Sequence, residues 1–233
     1  MNDRLEILMP AHNEARCLPK LIHEIHDNIN NKINYSIIIC EDGSTDNTLD
    51  VIKNLQKKYP IKLITSKNKK GYSIAMLDGI SEATADYLLI MDSDGQSNPG
   101  EIINFWNNRE VADIISGYRT NRKDYMYRRL YSKIAFLIYK ILFNVPLKDP
   151  SYAFIIMKKK IFQSLNSFVP QMPDGFFWEF NARASKKNFS FFNLNIIHKK
   201  RSYGETRIYH WSKLPMVSYR NLIGMIKIRF FFR

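Results

Sequence analysis

Cysteine is nearly absent from this sequence. Only Cys17 and Cys40 occur among 233 residues, which is too few for the disulfide framework of a small secreted domain. The two cysteines also lack the spacing of a zinc site. We therefore expect a protein of a reducing compartment whose stability comes from a hydrophobic core, and the 45% of hydrophobic residues suffices for one.

Long hydrophobic runs are also missing. The longest, Ile134–Phe143, is interrupted by Lys140 and falls well short of the roughly 20 residues of a membrane span. Leu5–Met9 is too short for the core of a signal peptide and follows an acidic residue, Asp3. These features predict a cytoplasmic protein that is soluble or peripheral on the inner face of a membrane.

Acidic residues are scarce in the second half of the chain. Residues 1–118 hold 12 lysines and arginines and 17 acidic residues, a net charge of −5, whereas residues 119–233 hold 23 and 5, a net charge of +18. This asymmetry indicates an acidic half that binds a metal facing a basic half that meets an anion. A diphosphate, a phospholipid surface and a nucleic acid are the candidate anions.

Short apolar runs alternate with segments of helical period along most of the chain. Such alternation predicts an α/β fold with a mostly parallel central sheet flanked by helices. The predicted strands are Leu5–Met9, Ser36–Cys40, Ile61–Ile64, Tyr87–Met91, Ile114–Gly117, Ala153–Met157 and Asn193–Ile197. The predicted helices are Leu18–Asn30, Asn47–Lys58, Ser73–Ala83, Tyr125–Phe143 and Phe176–Lys187. A further helix is predicted to start after Asn98, with Asn98 as the N-cap, Pro99 as the first helical residue and Glu101 as the capping-box acid.

Two basic segments combine cations with apolar residues. Tyr125–Phe143 is basic and amphipathic, a form that suits either a membrane surface or a helix packed on the domain. Met216–Arg233 has a similar composition. Two aromatic runs, Phe176–Trp178 and Phe230–Phe232, could line an acceptor groove or pack in a core or a dimer interface, and we favour the core or interface.

Acidic residues follow two of the buried strands. Glu41 and Asp42 end the second strand, and Asp92 and Asp94 come directly after Tyr87–Met91. Open α/β sheets bind ligands beyond the carboxyl ends of their strands, and Mg²⁺ is commonly held by one or two carboxylates plus substrate phosphates. Asp92 and Asp94 therefore predict a site for a metal and a diphosphate, although an acidic turn is the simpler interpretation.

The loop Lys67–Gly71 is basic and precedes a predicted helix. Such a loop can bind phosphate at the start of the helix, or it can simply be a solvated turn.

The order of these motifs resembles glycosyltransferase family 2, and within it the polyprenyl-phosphate sugar transferases of the dolichyl-phosphate mannose synthase type. The resemblance covers nearly the whole chain. It rests on Met9–Glu14, Glu41–Thr48, Gly71–Ala75, Met91–Gln96, Gly117–Arg119, Arg128–Ser132, Asp149–Ser151 and Arg201–Arg207. It implies a GT-A fold over residues 1–211. From their composition, we expect residues 212–233 to form a basic amphipathic tail that meets a membrane surface or an interface.

The resemblance also implies the role of each site residue. The donor is a UDP- or GDP-hexose, and its nucleotide would contact Pro10, Ala11, His12, Glu14, Asp42, Lys70 and Asp92. A Mg²⁺ or Mn²⁺ would bind Asp92, Asp94 and Gln96. The donor phosphate would contact Arg201 and Arg207, and the acceptor phosphate Arg119, Arg128 and Ser132. Asp92, Asp94 and Arg201 would be the catalytic residues of an inverting transfer.

A polyprenyl phosphate acceptor would remove the need for a general base. A phosphate monoester with a second pKa of about 6 is already an oxyanion near neutral pH. The main alternative is a family 2 enzyme that adds sugar to a glycan or glycolipid hydroxyl, for which Glu179 or Asp149 is a candidate base, although anchoring suits each better. A remote alternative is a non-enzymatic nucleic-acid-binding protein; we expect no nucleic acid, because the acidic strand ends would repel it. A homo-oligomer or a membrane-protein partner stays open.

Overall fold

The computed structural model of the chain describes residues 3–120, 126–165, 168–197 and 214–231. Within these ranges seven strands form one sheet and eight helices surround it. The strands are β1 (Arg4–Ala11), β2 (Asn34–Asp42), β3 (Ile61–Ser66), β4 (Tyr87–Met91), β5 (Ile114–Arg119), β6 (Phe154–Lys158) and β7 (Phe191–Ile196). The helices are α1 (Leu18–Ile29), α2 (Thr48–Leu55), α3 (Tyr72–Ser81), α4 (Glu101–Asn107), α5 (Met126–Leu142), α6 (Lys159–Ser164), α7 (Phe176–Lys186) and α8 (Leu214–Phe230).

The sheet is mostly parallel, as predicted. Its strand order is β3-β2-β1-β4-β6-β5-β7, and β6 runs antiparallel to both of its neighbours while every other pair is parallel. The carboxyl ends of β1, β2 and β4 consequently meet at one edge of the sheet, where open α/β sheets bind ligands. β6 lies between β4 and β5 and is antiparallel to both, so β5 runs in the same direction as β4 and its carboxyl end lies at the same edge.

The core lies on both faces of the sheet. On one face, Leu5, Ile7 and Met9 of β1 pack with residues of α1, α2 and α4. On the other, Leu8 of β1 packs with residues of α3, α6 and α7. Because both faces of the central strands are covered, these strands are apolar in nearly every position. This explains why the sequence shows unbroken apolar runs there rather than alternation.

Two details of the predicted helices were wrong or missed. α4 begins at Glu101 and has no side-chain cap, whereas the sequence predicted Asn98 as N-cap and Pro99 as the first helical residue. The Glu101 and Ile102 amides bond three residues back, to the carbonyls of Asn98 and Pro99 at 3.1 Å each, so these residues form a tighter turn ahead of the helix. The six-residue α6 was missed, since it is too short to show a helical period.

α5, α7 and α8 form a third apolar cluster at the side of the domain. Tyr139 of α5 is buried against Trp178 of α7 and donates a 2.9 Å hydrogen bond to its carbonyl. Met225 and Ile228 of α8 complete the cluster. The domain boundary predicted between residues 211 and 212 lies outside the described residues. Among those residues, no helix has both the length and the apolar character needed to cross a membrane.

Candidate active site

The loops that leave β1, β2 and β4 are tied together at the sheet edge. The buried Ser93 hydroxyl donates to the Pro10 carbonyl at 2.6 Å, which joins the end of β4 to the end of β1. His12 Nδ1 lies 2.8 Å from the Asp42 carbonyl, which joins the β1 loop to β2. The structure thus brings together at one edge most of the residues that the sequence predicted for donor binding: Pro10, Ala11, His12, Glu14, Asp42 and Asp92.

The loop after β1 is held by side chains of the loop after β2. Asn13 adopts a left-handed conformation with φ of 58°, and its Oδ1 accepts a 2.8 Å bond from the Thr45 amide. The Asn13 amide donates to Ser44 Oγ at 3.0 Å, and the Glu14 amide donates to Thr48 Oγ1 at 2.9 Å. Sequence reasoning did not assign Asn13, Ser44 or Thr45 a role, although their hydroxyl and amide groups suit such loop contacts.

Asp42 anchors the basic loop that precedes α3. Its buried carboxylate accepts hydrogen bonds from the backbone amides of Lys70 at 2.6 Å and Gly71 at 2.9 Å. Gly43 has a φ of +59°, and a Cβ at this position would lie 2.6 Å from the Lys69 nitrogen. The two loops are therefore packed backbone to backbone. Contact of Asp42 with a nucleotide stays a prediction.

The Lys70 side chain pairs with Asp78 of α3. The Lys70 ammonium group donates to Asp78 Oδ2, and this hydrogen bond raises the pKa of Lys70. Lys70 thus remains a cation at the edge of the site, although its charge is directed toward an acidic side chain. Its predicted contact with the donor nucleotide requires exchange of this partly exposed ion pair, which is held weakly in water.

Asp92 and Asp94 follow β4 as the sequence predicted, and both are partly exposed. The Tyr72 hydroxyl donates a 2.9 Å hydrogen bond to Asp92 Oδ1, and the Gln96 amide donates a 3.0 Å bond to Asp94 Oδ1. Gly95, which lies between Asp94 and Gln96, has a φ of +73°, and nothing lies within 4 Å of a Cβ built on it. The turn consequently leaves open space beside the two carboxylates.

The two carboxylates fit a hard divalent cation that shares its ligands with a substrate. Oxygen donors are what Mg²⁺ and Mn²⁺ prefer. Across the described ranges, His, Cys, Asp and Glu form no group of three or more that could hold a metal ion. One or two carboxylates are enough where a substrate diphosphate supplies further oxygens. Metal binding by Asp92, Asp94 and Gln96 stays a prediction.

Arg119, at the end of β5, is held in a bidentate ion pair. Its Nε and Nη2 donate to Asp149 at 2.7 and 3.1 Å, and Nη2 also lies 3.2 Å from Ser151 Oγ. The guanidinium carbon lies 4.8 Å from the centre of the Tyr152 ring. Burial of a planar cation against an aromatic face and a carboxylate fixes its orientation. Asp149 thus orients this arginine, which agrees with the anchoring role that the sequence favoured for it over that of a base.

Tyr152 links this arginine to the acidic pair. Its hydroxyl lies 2.8 Å from Ser97 Oγ, three residues after Asp94. The pKa of Tyr152 is raised to about 12, chiefly by burial; Ser97 and Arg119 lower it, and Asp92 and Asp94 raise it. The tyrosine is therefore neutral at physiological pH. Sequence reasoning missed both Tyr152 and Ser97; the aromatic residue directly after Asp149–Ser151 was the available signal.

Glu179, the other candidate base, is fully buried in α7. Its carboxylate accepts bonds from the amides of Gln171 and Met172 at 2.7 Å each, and from Arg183 at 2.9 and 2.7 Å. Because both of its oxygens accept hydrogen bonds, the Glu179 carboxylate anchors the turn at residues 171–172. This agrees with the anchoring interpretation of Glu179 that the sequence favoured.

The family model for glycosyl transferase family 2 matches residues 6–165. The chain belongs to this family. The matched region contains most of β1 and all of β2 to β6, and therefore the loops that carry Asp42, Asp92 and Asp149.

Family 2 relatives of known function include lipid-phosphate transferases. The chain is 30% identical over 172 residues to a dolichol-phosphate mannosyltransferase of Pyrococcus furiosus, covering 70% of this chain and 48% of the relative. It is 23% identical over 228 residues to an undecaprenyl-phosphate 4-deoxy-4-formamido-L-arabinose transferase of Proteus mirabilis, covering 93% of this chain and 66% of the relative. The chain thus spans between about half and two thirds of the length of these relatives.

The solved structures confirm the GT-A fold that the family resemblance implied. One is glucosyl-3-phosphoglycerate synthase of Mycobacterium tuberculosis in complex with Mn²⁺, UDP-glucose and phosphoglyceric acid. It superposes with a TM-score of 0.73 at 13% identity, covering 97% of this chain and 79% of the other. At this identity the likeness establishes the fold alone.

Several residues that the sequence predicted for this site cannot be placed. Arg201 and Arg207 lie outside the described residues, as does the start of the predicted helix at Tyr125. Arg128 belongs to α5, although its side chain is not described, and Ser132 lies one turn further along α5 and is partly exposed. Contact of these four residues with phosphate stays a prediction.

Proposed function

We propose that the chain transfers a hexose from a nucleoside diphosphate sugar to a polyprenyl phosphate, with inversion at the anomeric carbon. The observation that carries this proposal is the position of Arg119. Its guanidinium is linked through Tyr152 and Ser97 to the loop of Asp92 and Asp94. A cation suited to an acceptor phosphate therefore stands beside carboxylates suited to a metal and a donor diphosphate. The dolichol-phosphate and undecaprenyl-phosphate transferases to which the chain is similar support the same acceptor class.

The donor nucleotide would bind at the ends of β1 and β2. Pro10, Ala11, His12 and Glu14 lie on the loop after β1, and Asp42 holds the backbone of the Lys70 loop beside them. The loops are fixed to each other before any ligand arrives, which lowers the entropy cost of binding. The neighbour in complex with UDP-glucose makes a uridine nucleotide one candidate, and a guanosine nucleotide is the other.

Asp92, Asp94 and Gln96 would hold Mg²⁺ or Mn²⁺. A divalent ion supplies Lewis-acid stabilisation of the charge that develops on a leaving nucleoside diphosphate. The protein's own contribution is to orient the carboxylates, through the bonds from Tyr72 to Asp92 and from Gln96 to Asp94. Arg201 and Arg207 would neutralise the donor phosphate from the basic segment after β7.

The acceptor phosphate would be held by Arg119, Arg128 and Ser132. The acceptor oxygen attacks as an anion, so the protein has to position it and neutralise its charge rather than remove a proton. The two acidic groups considered as bases are both engaged elsewhere: Asp149 orients Arg119, and Glu179 anchors the 171–172 turn. This favours a phosphate acceptor over a glycan hydroxyl.

A transfer assay with paired acceptors tests the proposal. UDP- and GDP-hexoses carrying radiolabelled sugar would be incubated with undecaprenyl phosphate, with the matching prenol that lacks phosphate, and with glycan acceptors. We expect label in the organic phase with the prenyl phosphate and a divalent metal, and none with the prenol. Transfer to a glycan hydroxyl with none to the prenyl phosphate would establish the alternative family 2 function instead.

A further inference from the structure

Asn181 is a buried amide in the middle of α7, where neither helix propensity nor burial favours an asparagine. It lies within Phe176–Lys186 and is fully buried. Asparagine competes with the helical backbone for hydrogen bonds, so it is usually found at helix ends or pointing to solvent. The neighbouring Phe180 and Ala182 are equally buried but apolar. Packing alone therefore does not explain an amide at this position.

The hydrogen-bonding groups of the Asn181 side chain are only partly satisfied. Its Nδ2 donates a 3.1 Å hydrogen bond to the Pro150 carbonyl. Among the described residues, its Oδ1 has no hydrogen-bond partner although it is buried. A buried acceptor without a partner destabilises the folded state, because it loses its hydration without replacement. Asn181 therefore lowers stability at one atom while it holds Pro150 with the other.

Pro150 lies in a turn that carries two of the groups around Arg119. The Tyr152 amide donates to the Asp149 carbonyl at 3.3 Å, which closes a four-residue turn with Pro150 and Ser151 in the middle. Ser151 Oγ donates to Asp149 Oδ1 at 2.8 Å, and both side chains accept hydrogen bonds from Arg119. The conformation of this turn, which we call the 149–152 turn, consequently decides where the Arg119 guanidinium is held.

The peptide between Pro150 and Ser151 is the variable part of the 149–152 turn. The proline ring fixes the φ angle of Pro150. The two common turn types that accept proline at this position nevertheless differ in the orientation of the following peptide, which contains the Pro150 carbonyl. A carbonyl only accepts hydrogen bonds, so the amide nitrogen of Asn181 holds it in one orientation. That orientation also sets the direction in which Ser151 leaves the turn.

α7 gives Asn181 a firm support. Glu179, two residues earlier, anchors the helix to the amides of residues 171 and 172. The Phe180 ring stacks on Phe176, with ring centroids 5.9 Å apart. A helix held in this way does not follow a movement of the 149–152 turn, so the hydrogen bond from Asn181 restrains the turn relative to the core.

We propose that Asn181 is a positioning residue for the acceptor phosphate. By holding the Pro150 carbonyl, it fixes the 149–152 turn and thereby the orientation of the Arg119 guanidinium. This role rests on the proposed function, in which Arg119 contacts the acceptor phosphate. The donor loops after β1, β2 and β4 are tied to each other by separate hydrogen bonds, so the role concerns the acceptor and not the donor.

The kinetics of Asn181→Leu test this role. Leucine has nearly the shape of asparagine but no polar atom, so it removes the orphaned oxygen as well as the bond to Pro150. We expect the KM for undecaprenyl phosphate to rise about fivefold, as the loss of one hydrogen bond allows, while the KM for the donor stays unchanged. The matched control is Asn221→Leu in α8, which also removes a buried oxygen without a partner among the described residues and should change neither KM.

Stability separates positioning from a purely structural role. Removal of the orphaned oxygen should offset the loss of the Pro150 bond, so the urea midpoint of Asn181→Leu should stay close to that of the wild type. A higher acceptor KM in a variant of full stability does not come from a damaged core. Asn181→Ala, whose side chain is smaller than asparagine, gives the same kinetic comparison if leucine is too large for the position.

A double-mutant cycle with Asp149→Asn traces the route from Asn181 to the acceptor. If Asn181 acts through the 149–152 turn, the double variant should have an acceptor KM no higher than that of Asp149→Asn alone, about tenfold above the wild type. Hydrogen exchange gives a readout that needs no substrate. The Tyr152 amide, which closes the turn, should exchange about fivefold faster in Asn181→Leu and at the wild-type rate in Asn221→Leu.

Three results would overturn the inference while leaving the proposed function intact. One is transfer to undecaprenyl phosphate with an acceptor KM that Asn181→Leu and Asn181→Ala leave unchanged. The second is an equal rise in the donor KM, and the third is effects that multiply to about fiftyfold in the double variant. Absence of transfer by the wild type would instead contradict the proposed function, whereas exchange of the Tyr152 amide would still show whether Asn181 holds the turn.

Discussion

The Tyr72 hydroxyl donates a 2.9 Å hydrogen bond to Asp92 Oδ1, from the start of α3 to the end of β4. The tyrosine ring is itself held edge-on by Phe176 and Phe177 of α7, with ring centroids 6.4 and 6.3 Å apart. A carboxylate fixed by a hydrogen bond to a packed side chain loses less freedom when it binds a cation. The packing of α7 is therefore transmitted to the acidic pair through Tyr72.

Tyr72→Phe should weaken metal-dependent nucleotide binding while leaving the fold intact. The ring and its packing remain, and the bond to Asp92 is lost. Loss of an outer partner of a metal ligand usually costs 10–100-fold in metal affinity, and we expect a Mn²⁺ affinity about tenfold lower in the presence of nucleotide. Calorimetric titration of Mn²⁺ measures it. Unchanged Mn²⁺ affinity would show that Tyr72 does not position Asp92.

Asp149→Asn should raise the KM for the prenyl phosphate and leave the KM for the donor unchanged. The asparagine retains the shape of the side chain but not the bidentate charge pairing with Arg119. Loss of a charge-assisted hydrogen bond costs about 1.5–3 kcal/mol, and we expect a rise of about tenfold. Ser151→Ala, which removes one neutral partner, should have a smaller effect. A lower acceptor KM would mean that Asp149 competes with the acceptor rather than orienting Arg119.

Glu179→Gln should destabilise the protein, because Glu179 is a buried anchor. The substitution leaves Arg183 without its charged partner and confronts the amides of Gln171 and Met172 with a weaker acceptor. Breaking a buried ion pair costs about 3–5 kcal/mol. Urea denaturation should show a loss of about 3 kcal/mol, and none for the partly exposed control Glu24→Gln. Full stability combined with lost activity would instead support Glu179 as a catalytic base.

The stability contributed by Asp113 should disappear in acid. Burial raises the pKa of Asp113, but hydrogen bonds from Lys160 and Ser190 outweigh it and lower the pKa to about 2. Because this lies below the unfolded value of about 3.9, the contribution is full above about pH 4 and is lost as the pH falls through about 2.

Asp113→Asn should therefore destabilise the protein by about 1 kcal/mol at neutral pH. The difference from the wild type should shrink between about pH 4 and pH 2. Urea denaturation across this range measures it, with exposed Asp50→Asn as the control. A difference that does not change with pH would contradict the assignment.

The sequence predicted the sheet well where local pattern determines structure. Tyr87–Met91 was predicted with the bounds that β4 has, since a short apolar run between turn residues has few alternatives. The direction of β6 could not be predicted. Its pairing with β4 and β5 depends on contacts between residues far apart in the chain, and a local pattern carries no information on strand direction.

The sequence predicted the acidic residues of the site but not the hydrogen bonds that hold the site together. Asp92 and Asp94 were recognisable because they follow a buried strand and belong to a motif, Met91–Gln96, that resembles the family. Their contacts with the rest of the site run through Tyr72 and Ser93, which look like ordinary residues until the chain is folded. Of the two aromatic runs, Phe176 and Phe177 are buried in the core, whereas Phe230 is 70% exposed, because α8 turns that side outward. A core position is thus confirmed for the first run, and an interface for the second stays a prediction.

In the proposed function, the acidic pair after β4 holds a divalent metal and a donor nucleotide. Calorimetric titration of UDP and GDP, each with and without Mn²⁺, tests it most directly on the wild type, Asp94→Ala and the control Asp27→Ala on the exposed side of α1. We predict metal-dependent binding of one nucleotide, at least about tenfold weaker in Asp94→Ala and unchanged in Asp27→Ala. Binding of neither nucleotide to the folded wild type would contradict the claim.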